Sequence, residues 1–485
     1  MVGSGVKSVS FYVNGQWTKP AGRGTLPVSN PATGEVLAEV PLANSADVDH
    51  CVQTAHEGYL KWRDVPVVDR VQVLYRYKAL LEAHVTELAE ILTAENGKTL
   101  DDAKAEVRRG IQMVEVSCGM PSLMMGDSLN DVAAGIDCKT IRQPIGVCVG
   151  VTPFNFPAMV PMWMYPFAIA AGNAFILKPS EHVPLTPSFA MDLLHEAGLP
   201  AGVMNVLHGD RDTVDALLHH PTVKAISFVG STPVAKYIYA SAAAEGKRVQ
   251  ALGGAKNHLV VCPDANLPKT VDGIIASAFG AAGERCLAGS VLVCVGGVAE
   301  PLLDLLIERV RNMNIGDGSR PGTDMGPLIT TEHAGRVAGH IQRGISEGAV
   351  PLTDGRSLRT SIGSYFVGPT ILDHAHPDMS IACDEIFGPV LTVLRVDTLD
   401  EAIEIVNRSR FGNASVIFTD SGSAAREYSS RVEAGMVGIN IGVAAPMAFF
   451  PFAGWKQSFF GDLHAHGKDA VSFYTEQKVI MSRWF

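Results

Sequence analysis

Two hydrophobic periods alternate along this chain. The first third opens on a short β-like run at Phe11–Trp17 and a turn at Asn30-Pro31-Ala32-Thr33-Gly34. Helical patterns then occupy 46–61, 67–94 and 99–116. From there, short apolar runs alternate with helical stretches. Gly146–Val151, Ala174–Lys178, Met204–Leu207 and Ala225–Val229 read as strands, with helices at Pro187–Ala197 and Thr213–His219. Strands separated by helices of this length predict βαβ units and a parallel sheet. A second α/β stretch begins near Leu252. It comprises a strand at His258–Cys262, a helix at Leu267–Ala282, a strand at Val291–Val295 and a helix at Glu300–Met313. A strand at Val390–Val396, a helix at Glu401–Asn407, and strands at Ala414–Phe418 and Gly435–Ile439 complete it. No internal repeat, low-complexity tract or flexible linker interrupts the series.

Length and composition narrow the picture. The chain has 485 residues, about three common domain lengths, so two or three domains are expected. An apolar content of 47% with 18% charged residues is globular. A net charge of −11, with no dense Lys/Arg cluster, argues against a nucleic-acid partner. The eight cysteines have neither C-x-x-C nor zinc-ligand spacing, which predicts reduced thiols and no metal site. The first residues carry no apolar signal region and no Arg-rich transit character, so a cytoplasmic location is expected. The uncharged stretch from Pro157 to Leu177 is long enough to span a bilayer. Pro157, Pro161, Pro166, Gly172 and Asn173 would free backbone groups in lipid, so it reads instead as buried core, with no membrane partner.

No G-x-G-x-x-G follows a predicted strand. In its place, the strand Ile226–Val229 runs into Gly230-Ser231-Thr232-Pro233, where Ser231 or Thr232 can cap a helix and Pro233 suits its first turn. Such a turn can bind phosphate through free N–H groups and the helix dipole, although it equally fits an ordinary capped helix. Ile176-Leu177-Lys178-Pro179-Ser180-Glu181 stands at another strand end. Its Lys178 and Glu181 could hold ribose hydroxyls, and Glu181 would repel the extra phosphate of NADP.

The chemistry centres on Gly283-Glu284-Arg285-Cys286, on a connection between a helix and a strand. Arg285 beside the thiol would favour thiolate. Thr152-Pro153-Phe154-Asn155-Phe156-Pro157 is a stiff loop after a buried strand, and the Asn155 amide could face a developing oxyanion. Glu385-Ile386-Phe387-Gly388-Pro389-Val390 sets a carboxylate and an aromatic ring before another strand. Each segment alone also fits simple packing and turn formation. Near Gln250–His258, where a general base might stand, the chain reads QALGGAKNH, with no carboxylate.

In this order the segments NPATGEV, TPFNFP, ILKPSE, FVGSTPV, GERC, EIFGPV and FGNASVIFT resemble the aldehyde dehydrogenase superfamily over essentially the whole chain. The resemblance implies Cys286 as nucleophile and Asn155 as part of an oxyanion hole. It also implies an NAD site built from Thr152, Phe154, Lys178, Glu181, Gly230, Ser231, Glu385 and Phe387. Hydrolytic members have Glu-Leu-Gly-Gly-Lys where this chain has Ala251-Leu252-Gly253-Gly254-Ala255-Lys256, so their base maps to Ala251 or Leu252. Together with the long segments 153–181, 254–258, 122–127, 452–462 and 473–484, this departure is similar to the CoA-acylating methylmalonate-semialdehyde dehydrogenases.

That branch implies a thioacyl-enzyme taken by CoA as co-substrate, with loss of the substrate's β-carboxylate as CO2. Arg109 and Arg285 are expected to hold that carboxylate, because a guanidinium matches its planar geometry. Glu284 departs from the branch, which more often has Gln there, and leaves a substitute base open. Two other readings stay open: a hydrolytic enzyme using Glu284 or Glu385, and a non-catalytic nucleotide-binding or structural protein on the same fold.

The resemblance implies an α/β fold with a doubly wound NAD-binding domain (1–121 and 142–251), a catalytic domain (252–447), a β-strand oligomerisation arm (122–141 and 467–485) and a return segment (448–466). A homodimer or homotetramer acting on a small semialdehyde acid is expected.

Overall fold

The computed structural model of the chain describes residues 7–19, 22–358, 363 and 365–485. Two large sheets organise it. In the first, the spatial order is Phe459–Phe460, Arg248–Leu252, Val223–Val229, Val147–Val151, Ala174–Lys178, Met204–Val206, Phe11–Val13 and Gln16–Thr18. The five strands from Arg248–Leu252 to Met204–Val206 pair in parallel, and the outer strands are antiparallel. Among the parallel strands the chain begins at Val147–Val151 and steps twice to one side. It then crosses back to lay Val223–Val229 and Arg248–Leu252 on the other. This reversal makes the sheet doubly wound, with its switch point between Val147–Val151 and Val223–Val229.

Alternation along these strands feeds two cores. Val147, Val149, Ala174 and Ile176 join one cluster, while Cys148, Phe175 and Leu177 join the other. Both faces are covered, so the strands read as continuous apolar runs.

The second sheet has six parallel strands in the order Thr370–Asp373, Val390–Val396, Gly289–Val295, Asn257–Val261, Ala414–Phe418 and Met436–Ile439. Val350–Thr353 is antiparallel at one edge. A third sheet joins Ser128–Ala133, Ile136–Pro144 and Thr475–Arg483, the last pairing residue for residue with Ile136–Pro144. It stands out from the body with Leu129, Val479 and Met481 exposed.

Two expected helices are shorter than their periodicity suggested. The stretch 67–94 is two helices, Val67–Ala83 and Val85–Asn96. His84 breaks it at φ −110° and ψ 19°, and its ring Nδ1 lies 2.8 Å from the Leu80 carbonyl in the preceding turn. The helix expected over Leu267–Ala282 stops at Ala278. Ala281, Ala282 and Gly283 then take left-handed conformations, with φ of 48°, 54° and 71°. Apolarity carried the pattern onward, but the backbone leaves the helix to deliver the segment that follows.

The uncharged 157–177 stretch folds as short helices Met159–Met162 and Tyr165–Ala171 leading into Ala174–Lys178. Among the described residues no helix is long and apolar enough to cross a membrane. Asn173, fully buried, fastens this segment to two others. Its Oδ1 accepts from the Ile145 and Gly146 N–H groups at 2.7 and 2.9 Å, and its Nδ2 donates to Ala168 and Tyr474 carbonyls at 3.1 and 2.8 Å. Asn173→Ala would leave the Ile145 and Gly146 N–H groups and the Tyr474 carbonyl without this partner in the core, while the Ala168 carbonyl keeps the residue 173 backbone N–H, and a loss of about 3–5 kcal/mol is expected. Scanning calorimetry should show a melting temperature lowered by several degrees. An unchanged melting temperature would show that the tie carries no net stability.

Candidate active site

The carboxyl ends of the first sheet's strands face the amino ends of the second sheet's strands across a cleft of about 930 Å³. Asn155, Gly230 and Gly253 enter it just beyond strands of the first sheet. Cys286, Glu385 and Phe387 enter it just before strands of the second. The cleft therefore lies at the switch point of the doubly wound sheet. A second cleft of about 740 Å³ is lined by Arg109, Met113, Phe156, Trp163, Arg285 and Leu287, among others. Cys286 is the one described residue that lines both.

The loop carrying Cys286 is tightly constrained. Gly283 packs so closely on Gly388 that a Cβ there would lie 2.3 Å from the Gly388 carbonyl oxygen, and its φ of +71° also favours glycine. The carbonyl of Cys286 accepts two side-chain amides, Asn257 Nδ2 at 2.9 Å and Asn413 Nδ2 at 2.8 Å. Asn155 Nδ2 donates to the Glu284 carbonyl at 2.9 Å. Three amides from strand-flanking positions thus set the height of the thiol in the cleft. Asn257 and Asn413 were within quoted sequence motifs, but nothing local to them revealed a shared acceptor.

Electrostatics at the thiol differ from the expectation drawn from Arg285. Although Cys286 opens onto both clefts, burial pushes its thiol up to about 12, Glu385 adds to that, and Arg285 only opposes it. Arg285 is turned to Asp102, with Nη2 2.7 Å from Oδ1, and to the Ala276 carbonyl at 3.2 Å. Its charge is largely spent on that pair. Burial and Glu385 both favour the thiol over the thiolate.

Arg109 is placed differently. Its guanidinium donates to the Pro446 carbonyl at 2.8 Å and to Gln112 Oε1 at 3.0 Å, and contacts Met447 Sδ at 3.2 Å. No carboxylate pairs with it among the described residues, and burial lowers its pKa. An uncompensated cation therefore faces the same cleft as Cys286.

Neither acidic alternative sits free beside the sulfur. Glu284 is buried and lines neither cleft; its Oε1 accepts from the Ile329 N–H at 3.2 Å, and burial raises it to about 8. His333, 3.5 Å away, is held near 4 by burial and is neutral. Its Nε2–H donates to the Phe387 carbonyl at 2.6 Å while Nδ1 accepts from Arg336 at 2.9 Å. Glu385 does line the cofactor-side cleft, but its Oε1 accepts from the Ala255 N–H at 2.8 Å and burial raises it to about 7. Ala251 and Leu252, where a base was sought, are both buried apolar residues.

The remaining expected residues fall along the same strand ends. Ser231 caps the helix Thr232–Ala244 by backbone position only, with no side-chain bond into its first turn. Thr232 Oγ1 accepts instead from the Gly254 N–H at 2.8 Å. The helix start thus keeps free N–H groups facing the cleft, suited to a phosphate. Phe154 and Phe387 meet edge to face at 5.9 Å. Thr152, Lys178 and Glu181 lie outside the walls of this cleft. The Thr152 N–H donates to the Lys178 carbonyl at 3.1 Å, and Lys178 Nζ is 3.1 Å from Glu181 Oε2. The Thr152 hydroxyl is buried with no partner. An elongated dinucleotide fits this run, with phosphate donors at the switch point and a Lys–Glu pair beyond.

The fold thus sets Cys286 in a cleft at the switch point of a doubly wound sheet, beside a second cleft lined by Arg109. Residues 17–480 match the aldehyde dehydrogenase family model. The chain belongs to the aldehyde dehydrogenase family. It is 51% identical over 482 residues to malonate-semialdehyde dehydrogenase 2 of Geobacillus kaustophilus, covering 99% of this chain and 100% of that protein. The crystal structure of methylmalonate-semialdehyde dehydrogenase from Oceanimonas doudoroffii superposes with a TM-score of 0.97 at 45% identity, covering 99% of this chain and 98% of that one. A Sinorhizobium meliloti protein described as a methylmalonate-semialdehyde dehydrogenase, complexed with NAD, gives 0.97 at 44% identity, with 99% of each chain covered.

The raised thiol makes a direct prediction. In the cofactor-free protein, alkylation of Cys286 by iodoacetamide should rise about tenfold per unit between about pH 8 and 10, because only thiolate reacts. Glu385→Gln should speed it several-fold at fixed pH. Peptide mass spectrometry separates Cys286 from the exposed Cys383. A rate flat across that range would mean that the thiol is already ionised.

Proposed function

We propose that this protein is an NAD-dependent, CoA-acylating dehydrogenase of malonate or methylmalonate semialdehyde, yielding acetyl-CoA or propionyl-CoA and CO2. The observation that carries the reading is a half-buried thiol sharing one cleft with an arginine that has no carboxylate partner among the described residues, with no carboxylate at 251–252 to activate water. Relatives at about half identity bear names of that activity.

Lys178 and Glu181 would hold the adenosine ribose, Thr152, Gly230 and Ser231 the phosphate region, and Glu385, Phe154 and Phe387 the nicotinamide end. NAD, when bound there, supplies the hydride acceptor. The chain's own residues do the rest. Arg109 orients the substrate carboxylate, with Arg285 beside it held by Asp102. The sulfur of Cys286 adds to the aldehyde carbon as its proton leaves. The Asn155 amide, which shares the cleft with Cys286 and donates to the Glu284 carbonyl two residues before it, would receive the oxyanion. Loss of hydride leaves a thioacyl-enzyme; the β-carboxylate departs as CO2, and the enolate carbon left behind takes a proton from solvent. The CoA thiol then displaces Cys286. A thiol attacks a thioester well without base assistance, whereas water does not. The absent carboxylate therefore costs hydrolysis more than transfer to CoA.

The first sheet with its helices (1–121 and 142–251) would be the NAD-binding domain, and the second sheet (252–447) the catalytic one. The protruding sheet (122–141 and 467–485) would be an arm for assembly into a dimer or tetramer, and 448–466 the return segment. Pairing of Phe459–Phe460 with Ala251 and Leu252 supports the last assignment.

Steady-state NADH formation with malonate semialdehyde should require CoA. Without it, one burst of NADH per active site should be followed by a rate lower by about a hundredfold or more. Sustained turnover to free acid without CoA would establish the hydrolytic reading, and no NADH burst would favour a non-catalytic one. Arg109→Ala should raise KM for semialdehyde acids about tenfold or more while sparing propanal. Equal loss on both substrates would refute the carboxylate role.

A further inference from the structure

One charged pair near the site has no place in this scheme. Lys98 and Glu106 are both buried, with Nζ 2.6 Å from Oε2. Lys98 follows Gly97, whose φ of +91° ends the helix Val85–Asn96 and turns the chain between Pro31 and Pro327. Glu106 is on the helix Leu100–Cys118 and lines the cleft that holds Arg109 and Cys286.

Every remaining bond of the pair goes to the loop that carries Asn155. Lys98 Nζ donates to the Asn155 carbonyl at 2.6 Å and sits 4.4 Å from the centre of the Phe156 ring. Glu106 Oε1 accepts the N–H groups of Ala158 and Met159 at 2.9 and 3.1 Å. Asn96, on the other side of Gly97, donates to the Phe154 carbonyl at 3.0 Å. Three side chains thus bind the backbone at Phe154, Asn155, Ala158 and Met159. The segment between them bears the Asn155 amide on one cleft and the Phe156 ring on the other. Burying an ion pair is costly unless its other valences are filled, and here they are filled by this loop.

We propose that Lys98 and Glu106 are positioning residues with two linked effects: they aim the Asn155 amide, and they keep the wall of the substrate cleft neutral so that a carboxylated aldehyde can approach Arg109. The second effect follows from charge. Glu106 lines that wall and accepts two backbone N–H groups from the loop, so removing Lys98 takes away the one cation paired with its carboxylate where the substrate carboxylate must lie. The substrate half of this inference rests on the proposed function; the loop half does not.

The experiment compares wild type, Lys98→Met, Glu106→Gln and the double variant, each with NAD and CoA, on malonate semialdehyde and on propanal. Pre-steady-state NADH bursts at saturating aldehyde and the ratio of the two KM values are the readouts. Lys98→Met should slow the burst about tenfold or more on both aldehydes, since a misplaced amide costs rate whatever the substrate. It should also raise the KM ratio of malonate semialdehyde to propanal about tenfold, through repulsion at low dielectric. The double variant should restore the ratio to about its wild-type value, because charge balance returns, while the burst stays slow. A merely structural role would weaken both substrates alike and would not be rescued in one readout only. If Lys98→Met does not fold, as judged by circular dichroism, Glu106→Gln alone decides: its unpaired lysine should lower the KM ratio several-fold.

An unchanged ratio in Lys98→Met or Glu106→Gln, or no restoration in the double variant, overturns the charge effect. A wild-type burst rate in Lys98→Met overturns the aiming effect. Failure of wild type to use malonate semialdehyde would instead defeat the proposed function, and the propanal bursts would still report on the loop.

Discussion

The structure depends on how one short backbone segment is held between two sheets. Cys286 sits where the second sheet's strands begin, and its carbonyl takes amides from Asn257 and Asn413, which stand at the starts of neighbouring strands. From the other sheet, Asn155 reaches the Glu284 carbonyl. Neutral amides suit this task, since each donates without bringing a charge that would shift the thiol. The left-handed residues Ala281 to Gly283 are the cost of bringing the segment there. Asp102 shares in it, accepting the Ala281 N–H at 3.3 Å and the Arg285 guanidinium at 2.7 Å.

Around that segment the charges are divided between two clefts. The cofactor side has Glu385, whose carboxyl burial raises to about 7, and free N–H groups at a helix start. The substrate side has Arg109 unpaired, Arg285 paired and Glu106 paired. Among the described residues Arg109 therefore lines the cleft without a carboxylate partner, and positions 251 and 252 hold no carboxylate. On the proposed function, this balance suits a carboxylated aldehyde and an acyl acceptor that brings its own nucleophile.

Much of the fold was legible in the sequence because its signals are local. Buried strands such as Ala174–Lys178 are continuous apolar runs bounded by turn residues, and their ends fall where composition changes. The doubly wound order was legible only as a class. The break at His84 and the end of the helix at Ala278 were not visible, since apolar periodicity runs through both. The segments that gather at the clefts were each readable as motifs, because loops at strand ends need special residues such as Gly230, Pro153 and Gly283. What joins them was not readable. Arg285 finds Asp102 across 183 positions of chain, and Asn413 finds Cys286 across 127. The Asn96-Gly97-Lys98 turn passed as a gap between helices, its partners Phe154 and Asn155 lying more than fifty residues away. Long-range pairing of polar groups is set by topology, which a single sequence displays only indirectly.

The central claim is that acyl transfer from Cys286 waits for a thiol and not for water. Mass spectrometry of the Cys286 peptide, after mixing the protein with malonate semialdehyde and NAD in the absence of CoA, tests it most directly. The account predicts an acyl group that persists on Cys286 and leaves as acyl-CoA when CoA is added. An unmodified Cys286, with free acid accumulating over many turnovers, would contradict it.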